Sequence, residues 1–310
     1  MTPLDTRSSL KAASTVARAT ATAAFTCVVL CLTASSASGQ AWVAPARIGA
    51  VTIAFQHIDN TGHRSHDGSL FPGAYDSVSR TFLLNFDYAV TDRFSFALDL
   101  PYVGSKYLGP EPSFFGLPLD ECFCWNHGWQ DLGFTARYNI TNEAFALTPS
   151  VSAGVPSHNY DFFGEAVLGR NLNEIRIALD AGQRLDAISS RLSVYGRYSY
   201  AFVEKVLDLG NNRSNMAIGS DVLITRRLSG RVGFSWQRSH GGLRSTEFTE
   251  DIEIAQYDRL IRDNHFHISG GVTVSLPRVD VFASYVSYVS GTDTHVGHAI
   301  NAGVSMPFER

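Results

Sequence analysis

Arg137, Arg176, Arg184, Arg197 and Arg231 recur along the chain with Asp87, Asp99, Asp131, Asp180 and Asp221, each set in a stretch that alternates polar and apolar residues. Arg137 and Arg197 stand in similar frames near Asp131 and Asp180. Guanidinium and carboxylate groups on one face can brace one another as ion pairs, or they can present fixed charge to solutes passing them. Lysine is nearly absent. Of 25 basic residues only Lys11, Lys106 and Lys205 are lysine, leaving 22 arginines, whose planar, multi-donor head suits either use in a confined site.

Other candidate groups carry less. Cys122 and Cys124 flank Phe123 between Asp120-Glu121 and His127. Thiolates, carboxylates and an imidazole suit a soft metal. Structural zinc sites, however, typically space paired cysteines by two residues or more and need four ligands, so no metal is assigned. The pair reads as a disulfide or as an inert pair of thiols, although so short a loop strains disulfide geometry. His63, His66, His158 and His240 show no ligand spacing. His265 and His267 lie on the polar parity of their segment. His267 and Ser269, two apart, share one strand face, where a base can reach a hydroxyl. That spacing resembles outer-membrane phospholipase A, but Gly270 stands where that enzyme has asparagine. The polar parity is also the wrong side for a lipid substrate, so wall lining is the expected role and no catalytic residue is assigned.

The elements that position these groups have period two. Phe82, Leu84, Phe86 and Tyr88 share a parity against Asn85 and Asp87. After the turn Val90-Thr91-Asp92-Arg93, Phe94, Phe96, Leu98 and Leu100 oppose Ser95 and Asp99. Strict alternation over about ten residues is the strand signal, and a short polar turn between two such runs makes a hairpin. The pattern recurs at 51–55, 132–140, 145–155, 175–184, 192–202, 216–224, 232–236, 266–274 and 300–308. Residues 279–289 are strand-like with no assignable facing, because Phe282 and Tyr285 fall on opposite parities. That makes about twelve strands of about ten residues, the length of a tilted membrane strand. Short connections near 90–93, 141–143, 185–190, 225–228 and 276–278 alternate with longer ones near 58–78, 103–128, 156–172, 203–213, 239–263 and 290–297. A closed up-and-down barrel predicts this alternation, with short turns in the periplasm and long loops outside. Within 247–263, Ile254, Tyr257, Leu260 and Ile261 recur at three and four, so a short helix could form in that loop.

Composition agrees. The 310 residues are 45% hydrophobic and 17% charged, which excludes a disordered chain. The formal charge of −4 leaves no nucleic-acid footprint. Residues 1–39 have a basic start at Arg7, Lys11 and Arg18, then an uncharged apolar stretch around Phe25–Leu32, then small residues, the layout of a cleaved secretory signal. Cleavage after Gly39 or after Ala41 fits. Removing 1–39 leaves 22 basic against 28 acidic residues, a charge of −6.

Three stretches carry a family resemblance. They are Tyr88-Ala89-Val90-Thr91-Asp92-Arg93-Phe94-Ser95-Phe96 with Leu100-Pro101-Tyr102-Val103; Gly128-Trp129-Gln130-Asp131-Leu132-Gly133-Phe134 with Arg137-Tyr138; and Ser290-Gly291-Thr292-Asp293-Thr294-His295 with Gly303-Val304-Ser305-Met306-Pro307-Phe308. Together they resemble the outer-membrane family named for the meta pathway of phenol degradation, over roughly residues 80–310. That family commonly carries glycine where Gln130 stands. The resemblance implies a transporter of small compounds, aromatic ones among them, and brings no catalytic residues.

The expectation is therefore an all-β chain: a cleaved signal peptide at 1–39, then one monomeric transmembrane antiparallel up-and-down β-barrel of about 12 strands at 40–310. It would sit in the outer membrane of a Gram-negative bacterium, among lipid and lipopolysaccharide. No cofactor, metal or nucleic acid is expected. The expected role is porin-like passive passage of small solutes, hydrophobic or aromatic ones included, along a lumen lined by Asp87, Asp99, Asp131, Arg137, Arg176, Asp180, Arg184, Arg197, Asp221, Arg231, His265 and His267. The alternative is a structural or surface-interaction barrel with a plugged lumen. A lipid-active outer-membrane enzyme is third.

Overall fold

Every period-two segment becomes a strand in the computed structural model, which describes residues 41–109, 113–114, 117–118, 124–162 and 166–309. All of these belong to the chain's second unit, Thr33–Arg310. The expected signal peptide, residues 1–39, lies outside the described residues.

Twelve strands make the wall: β1 Ile48–Arg64, β2 Leu70–Ala89, β3 Phe94–Tyr107, β4 Asp131–Tyr138, β5 Phe145–Pro156, β6 Glu174–Arg184, β7 Leu192–Val203, β8 Arg213–Leu223, β9 Leu228–Ser239, β10 Asn264–Ser275, β11 Asp280–Thr292 and β12 Thr294–Glu309. Each pairs antiparallel with its neighbours in sequence, and β12 returns to pair with β1, from Ile48↔Glu309 to Arg64↔Thr294. The sheet is thus a closed barrel in which no main strand presents an unpaired edge. Short pieces extend it: Asn126–Trp129 pairs with the far end of β3, and Thr141–Asn142 pairs with β5.

Register carries the alternation around the whole ring. Ile53, Leu84, Phe134, Val151, Ile177, Ile218, Phe234, Ile268 and Ile300 are all exposed on the outer face. Aromatic residues gather at both ends of that apolar band. Phe86, Tyr88, Phe96 and Phe308 stack together beside the short turns. Tyr102, His127 and Trp129 stack toward the long loops. Inward residues are small or polar and hydrogen-bond across strands: Thr52 with Ser305 (2.9 Å), Gln56 with Asn301 (2.8 Å), Asn85 with Asp99 (2.8 Å) and Thr135 with Ser152 (3.0 Å).

The ambiguous strand β11 now has a facing. Tyr285 is exposed outside, while Phe282 is buried inside. There it lies against Gly303, whose pairing partner on the other side is Ala54. A Cβ on Gly303 would sit 2.6 Å from Phe282 Cζ, so the missing side chain makes room for an inward aromatic ring. Beyond Tyr288 a bulge at Val289 shifts the register.

Two connections expected to be long are instead strand. β1 and β2 run 17 and 20 residues and leave only a turn at 65–69, closed by Ser65 and Ser69 and turned by Gly68 at φ 82°. Between β11 and β12 only Asp293 intervenes, at φ 51°. In both hairpins the strands continue into stretches such as 59–64 and 290–292, where polar residues take both parities, so the hydrophobic period disappears while backbone pairing persists. Of the short turns, those at Thr91 and Thr225 share one device. Each threonine hydroxyl accepts the amides two and three residues on, from Arg93 and Phe94 and from Arg227 and Leu228.

Candidate functional site

Strand pairing sets the interior charges opposite one another. Asp180 on β6 and Arg197 on β7 are direct cross-strand partners, and Arg197 Nη1 lies 3.2 and 3.1 Å from the two carboxylate oxygens. Asp221 on β8 and Arg231 on β9 are likewise opposite and form a two-point pair. Arg137 reaches across β3 to Asp87 on β2, and its Nε donates to Ser95 at 3.1 Å on the way. Glu174 at the head of β6 takes two arginines, Arg176 at 2.6 Å and Arg213. Apart from Arg176 and Asp87, which are 37% and 30% exposed, these groups are largely withdrawn from solvent, where only well-matched geometry offsets the loss of hydration.

The end with the short turns is occupied by the segment that leads into β1, residues 41–47. Ala41 and Val43 are buried. The Ala41 carbonyl accepts hydrogen bonds from Asn139 Nδ2 (3.0 Å) and Thr148 Oγ1 (2.7 Å), two side chains with no solvent exposure. Asn142 Nδ2 holds the Val43 carbonyl at 3.0 Å, and the Trp42 indole donates to the Glu143 carbonyl at 3.1 Å. Gly182, on the inward parity of β6, is the seat: a Cβ there would collide with Trp42 and Ala41. The segment before β1 therefore runs inside the barrel at this end.

At the other end two loops fold over the opening. Loop 157–173 buries Tyr160 and Leu168 against the inward Val103. The Tyr160 hydroxyl donates to Asp131 and accepts from the Asn171 amide (2.9 Å); burial and the Asp131 contact push its pKa above the ordinary tyrosine value. Gln130 Nε2 holds the Leu168 carbonyl at 2.6 Å. Loop 240–263 forms two single helical turns, α1 Asp251–Ile254 and α2 Tyr257–Leu260, in place of one short helix. Their apolar side chains, Phe248, Ile254, Leu260 and Ile261, make a small core with Val206 and Leu209 of the neighbouring loop. Arg259 ties the two loops. Its guanidinium lies 3.4 Å over the Phe162 ring, and it donates to the carbonyls of Arg170 and Asn171 at 2.9 Å each.

Beneath these loops, against the inner wall of β1, β10, β11 and β12, lies a cavity of about 470 Å³. Histidines border it: His63 packs edge-on to His295 at 5.3 Å, and His265 stacks on His267 at 4.3 Å. Asp263 anchors the lid to the wall, with Gln237 Nε2 at 2.8 Å, His265 Nδ1 at 2.9 Å and Thr294 Oγ1 at 2.6 Å. Burial works to raise the Asp263 carboxyl, but the His265 and Thr294 hydrogen bonds and nearby Arg170 outweigh it and hold the group well below the carboxylate range. Among the described residues no cluster of three or more His, Cys, Asp or Glu is placed to hold a metal ion.

Of the residues singled out from the sequence, Asp87, Arg137, Arg176, Asp180, Arg197, Asp221 and Arg231 sit in the interior pairs. Asp99 takes Asn85 and Asp131 takes Tyr160, so Arg137 pairs with Asp87 rather than Asp131. Arg184 is exposed at the short-turn rim, 4.0 Å from Asp186. His265 and His267 border the cavity, and the Ser269 hydroxyl donates to the Gly233 carbonyl at 3.3 Å. Cys124 is disulfide-bonded, and Cys122 lies outside the described residues. Sequence reasoning missed Glu174, Arg213, Asp263 and Arg170. The first two extend the inward parities of β6 and β8 by one step, so carrying the alternation to the strand ends would have found them. The last two lie in loops, where no period exists to read.

Comparison with solved structures places this architecture. The crystal structure of the COG4313 outer membrane channel from Pseudomonas putida F1 is similar with a TM-score of 0.70 at 12% identity, covering 88% of this chain and 100% of that one. The beta domain of the Bordetella autotransporter BrkA is similar with a TM-score of 0.51 at 11% identity, covering 84% and 100%. No protein-family model and no curated protein matches the chain, so the family resemblance drawn from its motifs has no independent sequence support. At these identities what is shared is the fold: a closed, twelve-stranded antiparallel barrel of the outer-membrane type.

Proposed function

We propose that the chain is an outer-membrane channel for small solutes, exported by residues 1–39 and freed of them. One observation carries this reading: the barrel is apolar outside, between two aromatic belts, and polar and charged inside. That inversion suits a wall between lipid and a hydrated path, since a bilayer tolerates strands only as closed barrels. The likeness to a solved outer membrane channel supports it. The finer reading, passage of hydrophobic or aromatic compounds, rests on the motif resemblance alone. A second reading, a braced barrel with a closed lumen, is favoured by the N-terminal segment at one end and the folded loops at the other.

Purified protein incorporated into planar bilayers decides between them. Discrete conductance steps, with liposome swelling in a panel of sugars, acids and aromatics, are expected of the channel. A folded, inserted barrel that passes no current and no solute would refute the channel and leave the closed barrel. A third reading, the lipid-active enzyme, predicts esterase activity abolished by Ser269→Ala.

A further inference from the structure

We propose that the cavity beneath the lid is a binding site for a small organic carboxylate with an apolar body, its carboxylate taken by Arg170. This deepens the channel reading by naming a solute class, and rests on that reading only for how the ligand arrives.

The inner wall shows how this protein treats a withdrawn arginine. Arg137, Arg197, Arg231 and Arg213 each contact a carboxylate. Arg170 borders the cavity and has no such contact among the described residues, and its Nη1 is buried without a hydrogen-bond partner. Asp263, Asp258 and Glu174 attract it without direct contact, while Arg213 repels it. Burial first, and Arg213 second, hold its guanidinium below the ordinary arginine value, at about 10. Such a group has no carboxylate in direct contact among the described residues, and an arriving one would supply the planar, two-oxygen partner that arginine favours.

The site is built rather than incidental. The Arg170 and Asn171 carbonyls are clamped by Arg259, and the Asn171 amide and Tyr160 hydroxyl fix the segment from the other side. Arg262 borders the same cavity, with its Nε on the Gly242 carbonyl and no carboxylate contact among the described residues. Asp263, the acid that acts on Arg170 most strongly, is already taken by Gln237, His265 and Thr294. Val167, Ile261, Tyr257 and Tyr288 give the cavity apolar and aromatic walls, and about 470 Å³ is within the range of small-molecule pockets. Arg170 and Arg262 beside these apolar and aromatic groups suit a compact organic acid; the rest of the border is polar, with Asp258, Asp263, Asp293 and five histidines.

Benzoate and its neutral counterpart benzyl alcohol are the probes, titrated calorimetrically into the full barrel in detergent. Benzoate should bind at least tenfold more tightly than benzyl alcohol. Arg170→Gln should erase that preference, and Arg170→Lys should keep part of it. Equal affinity of the two probes for the unaltered protein, no binding of either, or a benzoate preference surviving Arg170→Gln would each overturn the proposal. The first comparison needs no variant, so it decides even if Arg170→Gln does not fold. Conductance without benzoate is measured alongside. A barrel that conducts but ignores benzoate overturns this site alone, and one that binds benzoate but never conducts overturns the channel alone.

Discussion

Replacing Arg197 with methionine tests whether the interior pairs hold the wall together. Asp180 and Arg197 face each other across β6 and β7, with the Asp180 side chain 4% and Arg197 20% exposed. Removing the cation strands a buried carboxylate, a class of change that costs about 3–5 kcal/mol. Arg137 also acts on Asp180 and cushions the loss, so the expected cost lies near about 3 kcal/mol, the low end of that range. Asp180→Asn alone strands the arginine instead. In the double variant neither charge is left without its partner, so its cost should fall below the sum of the singles by about 2 kcal/mol. Urea unfolding in micelles, followed by tryptophan fluorescence and by the gel mobility of the folded barrel, reads all four proteins. Arg197→Met within about 0.5 kcal/mol of the parent, or additive single effects, would refute the bracing argument. If stability holds and replacing both Arg137 and Arg197 with serine instead moves ion selectivity toward cations, the arginines act on passing ions.

Three further outcomes are expected. Arginine at Phe134 or Phe234, outward and exposed near the middle of the apolar band, should block assembly at a cost of about 2–4 kcal/mol, whereas arginine at inward Ser235 should be tolerated; equal insertion of both sets, scored by heat-modifiable mobility, would mean the register is wrong. Deleting residues 41–45 from the exported chain should raise single-channel conductance, because Ala41 and Val43 leave the short-turn end, and an unchanged conductance would place the narrowest point elsewhere. The Asp263 anchor, a depressed carboxylate, is fully present above the unfolded pKa near about 4 and is lost as pH falls through its lower folded value. Hydrogen exchange in loop 240–262 should therefore stay constant from about pH 7 to 5 and accelerate only below about 4; release between about 5 and 6 would assign the anchor to histidine instead.

How much could be read in advance follows from where two-faced packing exists. Within the apolar band each residue must choose between an outer apolar surface and an inner polar one, so the choice is written in alternate positions, as in Phe134-Thr135 and Phe234-Ser235. All twelve strands were legible for that reason. Beyond the band the constraint lapses. The outer ends of β1 and β2, with Asp59, His63 and Arg64, looked like loop although the backbone pairs to residue 64. Phe282 defeated the facing of β11 because its burial depends on Gly303, a residue on another strand. Arg137 chose Asp87 over the nearer-in-sequence Asp131 because tilt and pairing bring β2 and β4 together across β3. Chain order does not show that.

The division between paired and unpaired arginines carries the functional argument furthest. An arginine on a strand is fixed in register, so a carboxylate at the opposing position meets it on every barrel that folds, and its charge serves the wall. Asp180, Asp221 and Glu174 fill that role. Arg170 is on a loop, clamped by backbone hydrogen bonds from Arg259, yet among the described residues no carboxylate contacts its head. Its charge is not needed to close the barrel, and leaving its Nη1 buried with no partner among the described residues weakens the docked lid. A group that costs stability and braces nothing makes physical sense where something outside the chain completes it. The same reasoning applies in reverse to Asp263, which is fully satisfied by the wall and whose task is to hold the lid in place. Anchor and receptor are thus adjacent and distinct: neutralising Asp263 should free the lid, and neutralising Arg170 should leave the lid docked while removing the preference for an anionic ligand.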